Sequence, residues 1–450
     1  MAKYQAYAEY KDSGVEWLGE IPSHWDLRKF KHHFRSAMGE TILGADLIED
    51  GKLPVYSATE GDHFFGYVNS SSVVLEKGDF VIPARGNSIG FPKLVVTTST
   101  CSQTTIYAKM HKKIHSKFTF YYLLGCKPYL FQFVQTAIPQ ITVEEVKNNH
   151  LVHPSLEEQI KIANFLDYET AKIDHLIEKQ QQLIELLKEK RQAVISHAVT
   201  KGLDPNVPMK DSGVAWLGEV PEHWDITPIR NLIRSGNLIL QDGNHGELHP
   251  TANDYVETGI PFLMANNIRN GNLFMEDVKR IPKHLADTLR IGFAKAGDML
   301  LTHKGTVGEV ALVPQDIKED YWMLTPQVTY YRWQGKKFLN KYFYYQFQSS
   351  SIQTQLEIIG AKQSTRAYVG LIAQGDLIVA IPPSHEQLEI SSYILEKDQS
   401  YQLMIAKAQT AIQLMQERRT ALISAAVTGK IDVRHWHAPT VAEAQTELSA

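Results

Sequence analysis

Two cysteines in 450 residues, Cys101 and Cys126, are too few for a disulfide framework or a zinc site built from thiolates. No run of 18 apolar residues occurs, so a membrane-spanning helix is not expected. The opening MAKYQAYAEYKDSG lacks the charged-then-apolar layout of a signal peptide. Motifs that carry chemistry are missing as well. There is no G-x-x-x-x-G-K-[ST] phosphate cradle, no H-E-x-x-H and no Cys-x-x-Cys. An adenine-methylation motif of the Asn/Asp-Pro-Pro-Tyr/Phe kind is also absent, since residues 381–384 (IPPS) lack both the leading amide or acid and the aromatic. His435 and His437 offer two ligands where a metal site needs three or four. What remains is ordinary globular composition, with 43% hydrophobic and 21% charged residues, in a chain too long for one core. Two or three domains of a soluble, cytoplasmic protein are expected.

The net charge of −4 conceals an uneven distribution. Residues 27–150 carry 14 Lys/Arg against 10 Asp/Glu, and residues 227–383 carry 16 against 14, while the segments between and around them are acidic. Two mildly basic blocks in an acidic frame fit two local nucleic-acid footprints, although small net charges of this size also arise from scatter between domains.

The chain is written twice. Residues 11–26 (KDSGVEWLGEIPSHWD) recur as 210–225 (KDSGVAWLGEVPEHWD), offset by 199. Residues 189–200 (EKRQAVISHAVT) recur as 417–428 (ERRTALISAAVT), offset by 228, and that offset also pairs Glu158-Gln159 with Glu386-Gln387. The second interior is therefore longer by 29 residues. His24 and His223 sit in both boxes. A structural role beside Trp25 and Trp224 is expected, because no acid or nucleophile recurs at catalytic spacing around them.

Residues 156–200 and 385–428 hold no Gly or Pro and are rich in Gln, Glu, Lys, Leu, Ile and Ala, so they read as long helices. In the first, Leu166, Ile173, Leu176, Leu183, Leu187 and Val194 take a/d spacing, with Ile177, Ile184 and Ala198 on the adjoining e positions. In the second, Ile394, Tyr401, Met404, Ala411, Met415 and Leu422 take the same register, with Ile405, Ile412 and Ala426 at e. A stripe over four heptads implies packing along the helix on a partner, and the two helices are expected to pack on each other. Gln180, Lys190 and Arg418 interrupt the seam.

Residues 27–153 and 227–383 are mixed. β-rich runs at 73–75, 80–82 and 94–96, and at 299–301, 310–313 and 328–331, are bounded by turn residues. Landmarks follow in one order: 53–58 (LPVYSA) faces 260–265 (IPFLMA), 77–80 (KGDF) faces 296–299 (AGDM), and 85–90 (RGNSIG) faces 304–308 (KGTVG). An aromatic, helix-like stretch at 118–133 faces 338–347, and 138–140 (IPQ) faces 361–363 (AKQ). Two α+β domains of one fold with divergent surfaces are expected. The divisions fall at 1–153, 154–204, 205–383, 384–432 and a tail from 433 to 450.

This alternation of a near-identical Trp-Leu-Gly…His-Trp box, a variable α+β domain and a long helix resembles the specificity (S) subunit of type I restriction–modification systems, over the chain to about Asp432. The resemblance implies two target recognition domains that read the halves of an interrupted sequence in double-stranded DNA, spaced by an antiparallel coiled coil. It implies a non-catalytic subunit, with methylation subunits, two in number, holding S-adenosylmethionine, and with restriction subunits that use ATP and Mg. No cofactor is expected on this chain. At 136–140 (TAIPQ) the first domain departs from the Gly-Ala-x-Gln approach that the second keeps at 360–363 (GAKQ).

Reading DNA calls for forked or planar hydrogen-bonding groups on loops, with cations for phosphate. In the first domain the candidates are Tyr56, Ser57, Arg85, Asn87, Ser88 and Gln140. In the second they are Asn266, Asn267, Arg269, His303, Lys304, Thr306, Gln363, Ser364 and Arg366. Asn266 and Asn267 suit adenine edges, and Arg85 or Arg269 suits guanine; taken singly, each equally fits a turn-stabilising amide or a solvated cation. The rival readings are a coiled-coil scaffold and a DNA-binding subunit of a methylation-only complex without a restriction partner.

Overall fold

The computed structural model describes residues 4–61, 63–131, 139–245, 249–361 and 368–438. The chain divides into two compact units: residues 1–181 with 410–450, and residues 182–409.

The first unit is built on a four-stranded sheet in the order Phe34–Met38, Thr105–Met110, Phe80–Pro83, Lys93–Leu94. Beside it Leu53–Tyr56 runs antiparallel to Gly66–Val68 and parallel to Thr100–Cys101. Strand Phe34–Met38 shows why such a sheet forms. Phe34 and Ser36 point inward while Arg35 points to solvent, the two-residue alternation of a half-buried strand. Helix Ser116–Gly125 brings Phe118, Tyr122 and Leu123 onto the core.

The second unit repeats this order with Leu238–Asp242, Val328–Trp333, Met299–Lys304 and Thr306–Leu312. Its second sheet likewise has Ile260–Leu263 parallel to Trp322–Leu324. Part of the extra length is visible as hairpin Ile268–Arg269 with Asn272–Leu273, which the first unit lacks among its described residues. Asn270 and Gly271 make its turn at φ 50° and 79°, the left-handed backbone that an Asn-Gly pair adopts readily. Residues 73–75, expected as a strand, form only an isolated bridge at Leu75, because Ser99 alone lies alongside to pair with.

The two long helices are Leu156–Lys201 and Ser384–Val427. Within the first unit they run antiparallel: Arg419 chelates Asp174 at 2.8 and 3.2 Å, and nearer the start of the first helix the Lys161 ammonium donates to the carbonyl of Arg434, in the chain just past the end of the second, at 3.0 Å. There Ile162, Leu166 and Ile173 share a core with Leu422, Ile423 and Ala426. Within the second unit Ile195, Ala198 and Val199 share a core with Ile390 and Ile394, and Arg191 pairs with Asp398.

The expected seam is corrected by one residue. Leu176 and Leu183 are exposed at 42% and 43%, and Met404 at 47%, whereas Ile184 is buried and Ile177 and Ile405 are half-buried. The inward line is 166, 170, 173, 177, 180, 184, 187, with steps of four and three. Adjacent apolar residues at 176–177 and 183–184 left the sequence unable to choose between them.

The duplicated segments are exchanged between the units. The first box closes over the end of the second long helix: Tyr10 donates to the Gly429 carbonyl at 3.0 Å and Lys430 to the Glu20 carbonyl at 2.7 Å. The second box closes over the end of the first, where Lys201 donates to the Glu219 carbonyl and Gly202 lies against Trp224. The paired Glu-Gln residues tie box and aromatic helix to each helix start. Glu158 accepts from Tyr7 at 2.6 Å and from His24 at 3.1 Å, and Glu386 from His223 at 2.6 Å and Trp224 at 2.9 Å. Gln159 accepts from the His115 amide and Gln387 from the Leu339 amide, both at 2.9 Å, where the aromatic helices begin. An acid does therefore face each box histidine, delivered by the fold from well over a hundred residues away.

Candidate nucleic-acid interface

In the first unit the loop after strand Phe80–Pro83 carries Arg85 and Asn87, both exposed. The amide of Ile141 donates to the Ala84 carbonyl at 3.0 Å, which brings Gln140 alongside. There the Arg85 Nε–H donates to Gln140 Oε1 at 3.1 Å. That bond leaves both terminal nitrogens of the guanidinium and the Gln140 amide N–H groups facing solvent, a forked donor set with an adjacent amide.

The remaining candidates of this unit are interior. Ser88 Oγ donates to the Ala58 carbonyl at 2.9 Å, which pins the Arg85 loop to the next strand end. Ser57 lies in a hydroxyl chain with Ser102 and Thr104 at 2.8 and 3.1 Å. Tyr56 is 2% exposed and packs edge-on against Phe64. These three hold the loop's base. Lys93, which sequence reasoning passed over, does the same. It is buried, and its ammonium donates to the Thr59 carbonyl and hydroxyl at 2.9 and 3.0 Å. A lysine between Pro92 and Leu94 gives no sequence signal of that role.

In the second unit Asn266, Arg269, Lys304 and Thr306 are exposed. Lys304 and Thr306 flank the Gly305 hairpin, and Lys304 also bridges to Tyr368. The hairpin bearing Arg269 is braced by Glu309, whose carboxylate accepts from the Asn270 amide at 2.6 Å. Asn267 is 3% exposed. Its Oδ1 accepts from the Met264 amide at 2.9 Å and its Nδ2 donates to the Phe274 carbonyl at 3.3 Å. An amide occupied in this way has no free edge for a base, so Asn267 shapes the turn that presents Asn266. His303 is 1% exposed, its ring 5.6 Å from that of Tyr368, and burial pushes its imidazole below the usual range. A neutral, enclosed histidine is no phosphate ligand. Gln363, Ser364 and Arg366 lie outside the described residues.

Among the described residues no group of three or more His, Cys, Asp and Glu side chains is arranged to hold a metal. No helix among them is long and apolar enough to cross a membrane.

Comparison with known proteins agrees with this architecture. Residues 22–186 match the family described as Type I restriction modification DNA specificity domain. The chain is 21% identical over 378 residues to the type I restriction enzyme MjaVIII specificity subunit of Methanocaldococcus jannaschii, covering 82% of this chain and 83% of that protein. It is 23% identical over 257 residues to the EcoBI specificity subunit of Escherichia coli, covering 56% of this chain and 52% of that one. A solved structure described as showing complex assembly and conformational transition of the type I R-M system superposes with a TM-score of 0.67. The match covers 90% of this chain and 98% of that one at 12% identity, a likeness of fold. The resemblance carried by the repeated box therefore holds: residues 22–186 match the type I specificity domain, and the chain is related along most of its length to type I restriction specificity subunits.

Proposed function

We propose that this chain is the non-catalytic, sequence-specific DNA-binding subunit of a type I restriction–modification complex, reading a two-part target in double-stranded DNA with one loop cluster per unit. The observation that carries the reading is the Arg85–Gln140 pair, an exposed fork held in place through its Nε. A guanidinium so fixed keeps two terminal donors for guanine O6 and N7, and the neighbouring amide suits adenine N6 and N7. Asn266, Arg269, Lys304 and Thr306 supply the second reader. Lys304 acts as a point charge on phosphate, which positions the duplex without selecting sequence. Methylation subunits, which would hold S-adenosylmethionine, and restriction subunits, which would use ATP and Mg, are the partners this role requires.

The test is methylation mapping in cells that express the chain with its methylation subunits. Replacing residues 27–153 by the equivalent domain of a relative should change one half of the methylated target and leave the other. If both halves change, the two-reader account fails. Arg85→Ala should lose about 1–3 kcal/mol of discrimination at one base pair, with no change in stability.

A further inference from the structure

We infer that the first unit carries a second cationic surface, separate from its reading loop, that holds the phosphate backbone of duplex DNA without regard to sequence. The inference goes beyond the reading role proposed above and involves none of the residues assigned to it.

Of the 14 Lys and Arg in residues 27–150, eight fall in 28–35 and 109–117, two segments that contain no Asp or Glu. The fold joins them. Arg35 and Lys109 are direct partners across the Phe34–Met38 and Thr105–Met110 ladder. The amides of His111 and Lys112 donate to the His33 carbonyl at 2.9 and 3.3 Å, and the His111 ring nitrogen meets the Lys31 carbonyl at 3.2 Å. Lys29 faces His150 across a second ladder.

The nearby acids are occupied. Asp26 pairs with Arg28, Asp79 accepts from the Met110 and Glu76 amides, Glu145 caps its own helix at Thr142, and Glu144 binds Asn148. Among the described residues Lys29, Arg35, Lys109, Lys112 and Lys113 have no carboxylate partner in an ion pair. Like charges directly opposite on a strand pair are destabilising, so the Arg35–Lys109 register carries a cost that an anion lying between them removes.

Two observations favour phosphate over a protein partner. No large hydrophobic side chain is exposed between residues 27 and 42 or between 97 and 128, so the surface lacks the apolar or aromatic anchors on which protein interfaces depend. Its cations are mostly lysines, which are depleted at such interfaces and suit the dense charge of a duplex. The surface is also distinct from the reader. Arg85 lies beyond the Pro83 end of the ladder, where Thr105 pairs, whereas Lys109 lies about 14 Å further along that strand.

The experiment uses the full chain and a 30-base-pair duplex of arbitrary sequence, with affinity measured by fluorescence anisotropy across a range of KCl. Replacing Arg35, Lys109, Lys112 and Lys113 together by Ala should lower the slope of log affinity against log salt by about 3 to 4, near 0.9 for each phosphate no longer neutralised. The thermal midpoint should stay at or above that of the parent, since like-charge repulsion is relieved. Arg85→Ala with Gln140→Ala should leave most of that slope and alter only the preference between sequences, so failure of the reading role and failure of this surface are separable. A parental slope in the quadruple variant overturns the inference. Loss of partner-subunit co-purification at an unchanged slope assigns the surface to a protein and overturns it equally.

Discussion

Asn266 and Asn267 are adjacent, chemically identical and opposite in expected behaviour. Truncating Asn267 to Ala removes the acceptor of the Met264 amide and the donor to the Phe274 carbonyl, in a side chain 3% exposed. A buried polar group left without its partner costs about 1–3 kcal/mol. The 3.3 Å bond is the weaker of the two and Met264 is half-buried, so about 2 kcal/mol is the reasonable sum. For a unit of this size each kcal/mol moves the melting midpoint by about 2–4 °C, so Asn267→Ala should melt about 4–8 °C lower. Asn266 is exposed, and its truncation should move the midpoint by about 1–2 °C at most while altering the methylated sequence at one position. Differential scanning fluorimetry on both variants, with methylation mapping of each, separates the cases. Equal melting losses, or a change of base preference from Asn267→Ala at parental stability, would refute the assignment of the buried amide to the turn.

Other expectations follow from individual interactions. Gly429→Ala should destabilise strongly, because the added Cβ at φ 76° would collide with the Pro22 ring, whereas Gly202→Ala at φ 75° meets Trp224 at 3.4 Å and Pro221 at 3.8 Å, both ordinary contacts, and should cost about 1 kcal/mol; chemical denaturation of the two variants makes the comparison. Glu386→Ala strands the buried Trp224 indole N–H and should cost about 1–3 kcal/mol, while Glu386→Gln, which keeps an acceptor, should recover most of it. Burial, reinforced by His153 and nearby cations, pushes the His33 imidazole down to about 4, so the unfolded chain binds the extra proton first as pH falls. Stability from this group is present above pH 6.5 and is lost towards pH 4, on the order of 3 kcal/mol in all; His33→Phe should flatten that part of a stability–pH curve, and an unchanged curve would refute the assignment.

Much of the architecture was legible in the sequence alone. The repeated boxes, the gap-free helical stretches and the shared order of landmarks led to two α+β domains of one topology, and the two central sheets do share one strand order. Legibility failed where a choice turned on a neighbour distant in sequence. Whether Leu176 or Ile177 faces inward depends on the partner helix, and both residues are apolar. Asn267 and His303 read as surface donors because Asn and His suit loops, but what encloses them comes from Phe274 in one case and Tyr368 in the other. The partner of His24 was invisible for the same reason, since Glu158 is 134 positions away.

The duplication explains an otherwise odd feature, that the repeats in sequence are not the units in space. The core of the first unit takes Leu422, Ile423, Ala426, Val427 and Ile431 from the far end of the chain, and the core of the second takes Ile195, Ala198 and Val199 from the end of the first repeat. Each unit is closed by a helix end that the other repeat supplies. The matching segments 189–200 and 417–428 each lead into a box: just past them, at positions one residue apart in the alignment, Gly202 lies against Trp224 and Gly429 against Pro22 and Trp25, both at positive φ. The loops proposed above to read DNA are free to diverge because none of this closing machinery passes through them. Arg85, Asn87, Asn266, Arg269 and Lys304 stand on loops and hairpin ends, whereas Glu158, Gln159, Glu386 and Gln387 stand where box, aromatic helix and long helix meet. A change in the first set is expected to alter DNA binding, in affinity at Lys304 and in base preference at the others, whereas a change in the second is expected to alter whether the unit folds.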